Sequence, residues 1–395
     1  MEVKDGASLS GDEMQIGVQQ GGGPLLRIIG KEPSGVQASE LEVDFLRLGY
    51  GSYGALLIEA GGEATVSRTI IGKLGAGELA VSGEDSVFTS NFWLVIGEAD
   101  LFDGPAGSEI PGGIITVYDG GKMVTGNSGA LVGTLIGEKG QGFVTVSGTT
   151  ENMRSTFEAK DGLIIGFSGG RTDPDFDGDF QVLDGGLLLA RSIDIASQRG
   201  SSGYLLIQAE SETDGQRAEA QVENDLVIGG ISFDAPNTGR AVVEVLDGGL
   251  LSVGETISTG NTVTGSLIVD GLGDLDSSLA ATVEAKTLYI SREASGAVTV
   301  ANSGRLTVDD IIFGEAILEE WSGTVYNASL NVESGGRVSA LLVDMAQTFS
   351  EEGLPNYASG ILVSGTSGSG PSVLAADDLL IGSANQVEVK AGGQI

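Results

Sequence analysis

Two short apolar phrases take turns along this chain. The first is two or three aliphatic positions closed by glycine, as in Met14-Gln15-Ile16-Gly17, Leu46-Arg47-Leu48-Gly49, Leu94-Val95-Ile96-Gly97, Leu163-Ile164-Ile165-Gly166 and Leu226-Val227-Ile228-Gly229. Weaker copies end in another residue: Ile193-Asp194-Ile195-Ala196, Leu288-Tyr289-Ile290-Ser291 and Leu341-Leu342-Val343-Asp344. The second phrase is apolar–x–Val, a short polar step, a glycine pair and an aliphatic residue. Val243-Glu244-Val245 with Gly248-Gly249 and Leu330-Asn331-Val332 with Gly335-Gly336 are clear copies. Short β-branched runs bounded by Gly, Asn or Asp predict strands. Glycine scattered through helix interiors would cost about 1 kcal/mol each, which disfavours the helical alternative.

Copies of the first phrase recur at about 30 residues, within the period range of solenoid repeats. A hairpin meander would show turns every 8–12 residues without this long alternation. The expectation is an all-β, right-handed parallel β-helix of about a dozen Gly-rich coils with short loop inserts, continuous over residues 1–395. Each coil is predicted to hold a strand, a Gly turn, a variable loop, a second strand, a Gly-Gly turn and a shorter third strand. One interior column is predicted through Ile16, Leu48, Ile71, Ile96, Ile136, Ile165, Ile195, Ile228, Ile290, Phe313 and Ile381. A second runs through Val117, Val146, Val182, Val245, Val269, Val300, Val332, Val363 and Val389.

Composition narrows the chemistry. The chain has 395 residues, 65 of them glycine, with 41% hydrophobic residues, so it carries enough apolar surface to bury. Its 20 Lys+Arg against 55 Asp+Glu give a net charge of −35, which disfavours nucleic acid and anionic membrane surfaces as partners. With no Cys and no His, disulfides, thiol nucleophiles, Ser-His triads and the usual zinc sites are excluded. No run of about 20 apolar residues predicts a membrane-spanning helix. The opening Met1-Glu2-Val3-Lys4-Asp5-Gly6 parallels the closing Val387-Glu388-Val389-Lys390-Ala391-Gly392. Both ends therefore read as one phase of the repeat, and the chain as a piece of a longer exported protein.

The alternation resembles the repeat of autotransporter (type V secretion) passengers and PEP-CTERM-associated bacterial exoproteins. Ile115 to Met123, Leu163 to Gly166 and Val243 to Leu251 carry the resemblance best. It implies a secreted β-solenoid, extracellular or on the surface of a Gram-negative bacterium. The matching positions are core and turn residues, so the resemblance carries no activity. The expected function is a structural or adhesive passenger stalk without catalysis; the alternative is a glycoside hydrolase or lyase on the same fold.

Candidate sites are few. Asp173, Asp175, Asp177 and Asp179, with Gly178, match the opening of a calcium loop, in which alternating carboxylates converge on a hard cation. Calcium is thus the one cofactor that the sequence suggests. Against it stands a solvated acidic insert between coils, and Asp184, at the twelfth position, already belongs to the Asp-Gly-Gly repeat. Inserts at 98–113, 210–219 and 349–359 are candidate binding loops. Phe92, Trp93 and Trp321 are candidate aromatic anchors, weighed against packing at strand starts. Expected partners are further copies of the chain stacked end to end, or a host or cell-surface glycan or protein.

Overall fold

The structure is a computed structural model that describes residues 1–18, 23–30, 37–98, 112–126, 133–138, 140–167, 177–198, 200–209, 215–230, 239–261, 263–271, 280–292, 294–314, 327–345, 358–367, 370–382 and 385–395. It is a parallel β-helix with two sheets. The first holds 14 strands in strict chain order, each one coil beyond the last. It starts with Glu2–Lys4 and Leu25–Ile29, passes through Gly113–Tyr118, Gly178–Leu183 and Arg240–Leu246, and ends with Gln386–Val389.

Side chains on this sheet alternate inward and outward with the two-residue period of a strand. Gly178–Leu183 shows it, with Phe180 and Val182 buried and Asp179, Gln181 and Leu183 half-buried. Parallel, in-register pairing stacks like on like. Val117 pairs with Val146, Val146 with Val182, Val182 with Ile207, Ile207 with Val245 and Val245 with Val269. The predicted valine column is therefore real, and Ile207 supplies a rung that the phrase search missed. Each such side chain, taken out of water, contributes about 1.5–3 kcal/mol.

The second sheet carries the Ile-Gly phrase. The predicted third strand and this phrase share one stretch of sheet, which corrects the six-part coil. In the outer coils they are one unbroken strand, as in Glu40–Leu48, Glu63–Ile71, Arg305–Phe313 and Arg337–Met345. The predicted column runs Ile96, Ile136, Ile165, Ile195 and Ile228 by direct pairing. Two rungs differ from expectation. Thr259 stands between Ile228 and Ile290. Val343 pairs with Ile311, so the Leu341–Asp344 phrase is out of phase and Met345 pairs with Ile381. Ile381 and Val389, at the last coil, are 51% and 50% exposed because no described coil covers them.

The glycine pair has two separate jobs. Asp184 and Gly185 both take positive φ, 48° and 82°, so the turn needs a residue tolerant of left-handed backbone followed by glycine. Gly186 is required by contact, since a Cβ there would lie 2.4 Å from the Val146 carbonyl oxygen of the preceding coil. Where serine takes that second place it caps the coil below. The Ser39, Ser86, Ser155 and Ser372 hydroxyls accept hydrogen bonds from Gly6, Gly61, Gly120 and Gly335 N–H groups, at 3.2, 2.9, 3.0 and 2.9 Å.

Candidate functional site

In the central coils the second sheet is interrupted. Its near arm holds Thr156–Ala159, Leu187–Ala190, Glu219–Val222 and Leu250–Val253. Its far arm holds Leu163–Ile165, Ile193–Ile195, Leu226–Ile228 and Thr256–Thr259. The corner between them varies in length from coil to coil. Between paired core positions, Val308 and Ile311 enclose only Asp309 and Asp310, whereas Val222 and Leu226 enclose Glu223, Asn224 and Asp225. Corner length alone does not set the break, since Ala190 and Ile193 enclose only Arg191 and Ser192 in an interrupted coil, whereas Ser90 and Leu94 enclose three residues within the unbroken Val87–Ile96 strand.

Outside this corner lies a groove of about 590 Å³ that crosses successive coils. Its floor is an outward column of the near arm, Glu158, Leu189, Gln221, Ser252 and Glu284, one residue per coil by direct pairing. Leu250 adds apolar floor, and the corner residues Lys160, Arg191 and Glu223 form one side.

The groove's ionic groups differ in how firmly they are held. Lys122 Nζ lies 3.0 Å from Glu158 and Lys160 Nζ 3.9 Å from it. Glu219 accepts a 2.8 Å bond from Arg154 Nη1 and a 2.6 Å bond from Gln221 Nε2. Burial alone would raise the Glu219 carboxyl. The hydrogen bonds from Arg154 and Gln221, with the charges of Arg154 and Arg217, reverse this and leave it below its ordinary value. Arg154 also donates to the Gly185, Gly186 and Arg217 carbonyls at 2.8, 3.0 and 2.7 Å. Arg217 repeats the pattern two coils on, donating to Gly248 and, at 2.9 and 2.6 Å, to Gly249 and Ala280. These guanidiniums staple the carbonyls of consecutive turns and anchor the groove wall.

Among the described residues, the two carboxylates with a raised pKa lie outside the groove. Asp179 is on the outer side of the first sheet, raised by burial against a hydrogen bond from Gln181. Asp194 is in the far arm, between Ile164 and Val227 in its outward column. Both its carboxylate oxygens are buried without a hydrogen-bond partner among the described residues. Burial pushes its pKa up to about 6, and Ser197 pulls the other way.

Of the calcium candidates, Asp173 and Asp175 lie outside the described residues. Asp177 is buried where the Gly178–Leu183 strand begins, and its Oδ2 accepts a 2.9 Å bond from the Ser202 N–H of the next coil. Asp179 Oδ1 and Oδ2 take bonds of 3.2 and 3.1 Å from Gln181. Among the described residues no group of three or more acidic side chains is placed to hold a metal ion. Most of the three predicted binding inserts, and Trp321, also lie outside the described residues. Trp93 is half-buried, edge-on to Phe45 at 5.9 Å, while Phe92 beside it is half exposed. The groove residues carried no phrase of their own in the sequence. Corner length does not mark them either, since the Arg191 corner is as short as those of the outer coils.

No family model and no curated protein matches this chain. Among solved structures, it is similar to the crystal structure of a TibC-catalyzed hyper-glycosylated TibA55-350 fragment. That likeness has 12% identity and a TM-score of 0.45, and covers 98% of this chain and 100% of the other.

Proposed function

We propose that this chain is a structural and adhesive extracellular β-solenoid, of the autotransporter-passenger kind that its repeat resembles, displayed on or released from a Gram-negative surface. The central groove is its lateral recognition surface. One observation carries the choice of binding over catalysis: among the described residues, two of the groove's four carboxylates are tied to cations. Glu219 is held ionised by Arg154, and Glu158 sits between Lys122 and Lys160. Glycoside hydrolysis needs a carboxyl raised enough to donate a proton beside a second carboxylate. The raised carboxyls, Asp179 and Asp194, stand on other faces. Fixed anions and cations around an apolar floor suit recognition instead.

The test pairs two assays on the purified protein. Binding to immobilised cells and to surface glycans and proteins is measured beside release of reducing ends from acidic and neutral polysaccharides. Saturable binding with no reducing ends released is the expected result. Turnover that tracks protein concentration would overturn the adhesive reading in favour of the hydrolase or lyase alternative.

A further inference from the structure

The charges of the groove are sorted along the solenoid axis. Towards the amino-terminal coils stand Lys122, Lys160 and Arg191, with Glu158 as the one acid among them. Towards the carboxy-terminal coils stand Glu223 and Glu284, while Glu219 is neutralised by Arg154. The side chains of Arg191, Glu223 and Glu284 are exposed and make no ion pair or hydrogen bond among the described residues. One end of the groove is thus left net positive and the other net negative, over the half-buried Leu189 and Leu250.

Arg191 and Glu284 are three coils apart, since Leu189 steps to Gln221, Ser252 and Glu284. At about 4.8 Å per coil that is about 14 Å, the length of roughly four residues of extended chain. Among the described residues no aromatic side chain lines the groove to stack on a sugar ring.

We infer that the groove binds an extended peptide segment that carries a carboxylate and a cation about four residues apart, laid along the axis. The ligand's acid meets Lys160 and Arg191, its base meets Glu284, three coils beyond Arg191, and its intervening side chains cover the leucines. This deepens the adhesive reading and rests on it: the adhesive ligand becomes a protein, recognised by the spacing of opposite charges.

The probes are capped fluorescent pentapeptides with serine and glycine between the ends. One carries aspartate and lysine at opposite ends, one carries them side by side, one carries two lysines and one two aspartates; cellopentaose is the uncharged comparator. Fluorescence anisotropy of the labelled peptides against the full chain, with calorimetry for the sugar, gives the affinities. The separated zwitterion is expected to bind about tenfold more tightly than any other peptide. Raising salt from 50 to 500 mM should erase most of that preference. In Arg191→Glu the positive end loses its excess charge while the negative end keeps its own, and the two-lysine peptide should overtake the zwitterion. In Glu223→Lys/Glu284→Lys the two-aspartate peptide should do so. These side chains are exposed, so folding is checked simply by an unchanged melting temperature. Equal binding of all charged peptides, binding of cellopentaose alone, or no binding overturns the inference. In each of these outcomes the adhesive reading stands if surface binding without turnover persists; it falls only on turnover or on loss of surface binding.

Discussion

The outer coils and the central coils use the same alternation and differ at one corner. In outer coils such as that of Arg305–Phe313, two residues turn the chain between the near and far arms and a nine-residue strand runs through. In the central coils, the step through Glu223, Asn224 and Asp225 breaks the strand into Glu219–Val222 and Leu226–Ile228. The inward columns pass through both regions without interruption. A solenoid can therefore carry a concave, charged surface on an unchanged core, because the core is set by the columns and the corner is free to vary.

The comparison can be tested most forcefully from beneath the groove. There Phe157 and Phe180 meet edge-to-face with ring centres 5.2 Å apart, both fully buried. Phe180→Ala should cost about 3–5 kcal/mol by chemical denaturation. If the central coils are as tightly packed as the outer ones, Leu79→Ala, in the same inward column, will cost a comparable 2–5 kcal/mol. A loss below about 1 kcal/mol at Phe180 would show that the interrupted coils are loosely packed.

Asp194 provides the next largest effect, and it depends on pH. Its carboxyl is near 3.9 in an unfolded chain and raised to about 6 in the fold. The native state therefore holds the proton more tightly, and stability falls as pH rises from about 4 to 6. Asp194→Val matches its neighbours Ile164 and Val227 and should stabilise by about 2–3 kcal/mol at pH 8. At pH 3.5 most of that gain should vanish. A gain independent of pH would show that packing alone is responsible.

The groove wall should respond to pH in the opposite sense. The Glu219 pKa is lowered by Arg154, so its contribution is present above the ordinary glutamate range and lost as pH falls through its folded value. Glu219→Gln should cost about 1–2 kcal/mol at pH 7 and progressively less in acid, followed by melts across pH. If the cost does not decline in acid, the carboxylate's charge is not what Arg154 holds.

The smallest effect concerns backbone strain. Ala196 takes φ +57° where Gly166 takes +77° in the preceding coil, so Ala196→Gly should stabilise by about 0.5–1 kcal/mol. Gly72→Ala in an outer coil should do the reverse and more, since its Cβ would lie 2.5 Å from the Gly112 backbone. Paired melting curves would show opposite shifts, and a destabilised Ala196→Gly would mean that the lost methyl contact outweighs the strain.

The columns were legible because a strand's two-residue period, repeated once per coil, writes itself as aliphatic–x–aliphatic–Gly. Ile207 escaped because Leu205-Leu206-Ile207 precedes Gln208-Ala209 with no glycine pair. Met345 escaped because Leu341, Leu342 and Val343 form a better apolar run two residues earlier, and Leu341 turns out to be 56% exposed. The groove was not legible at all. Glu158, Leu189, Gln221, Ser252 and Glu284 lie about 30 residues apart in turn, and only the pairing register makes them one column. Asp194 likewise read as an ordinary outward polar residue in Ile193-Asp194-Ile195. Its burial depends on what lies over the far arm, and strand alternation says nothing of that.

Strict chain order within the first sheet has a kinetic consequence. Every coil rests on the one made just before it, so no segment has to wait for a distant partner before it can dock. Such a chain can wind up from one end as it is delivered, each finished turn serving as the template for the next.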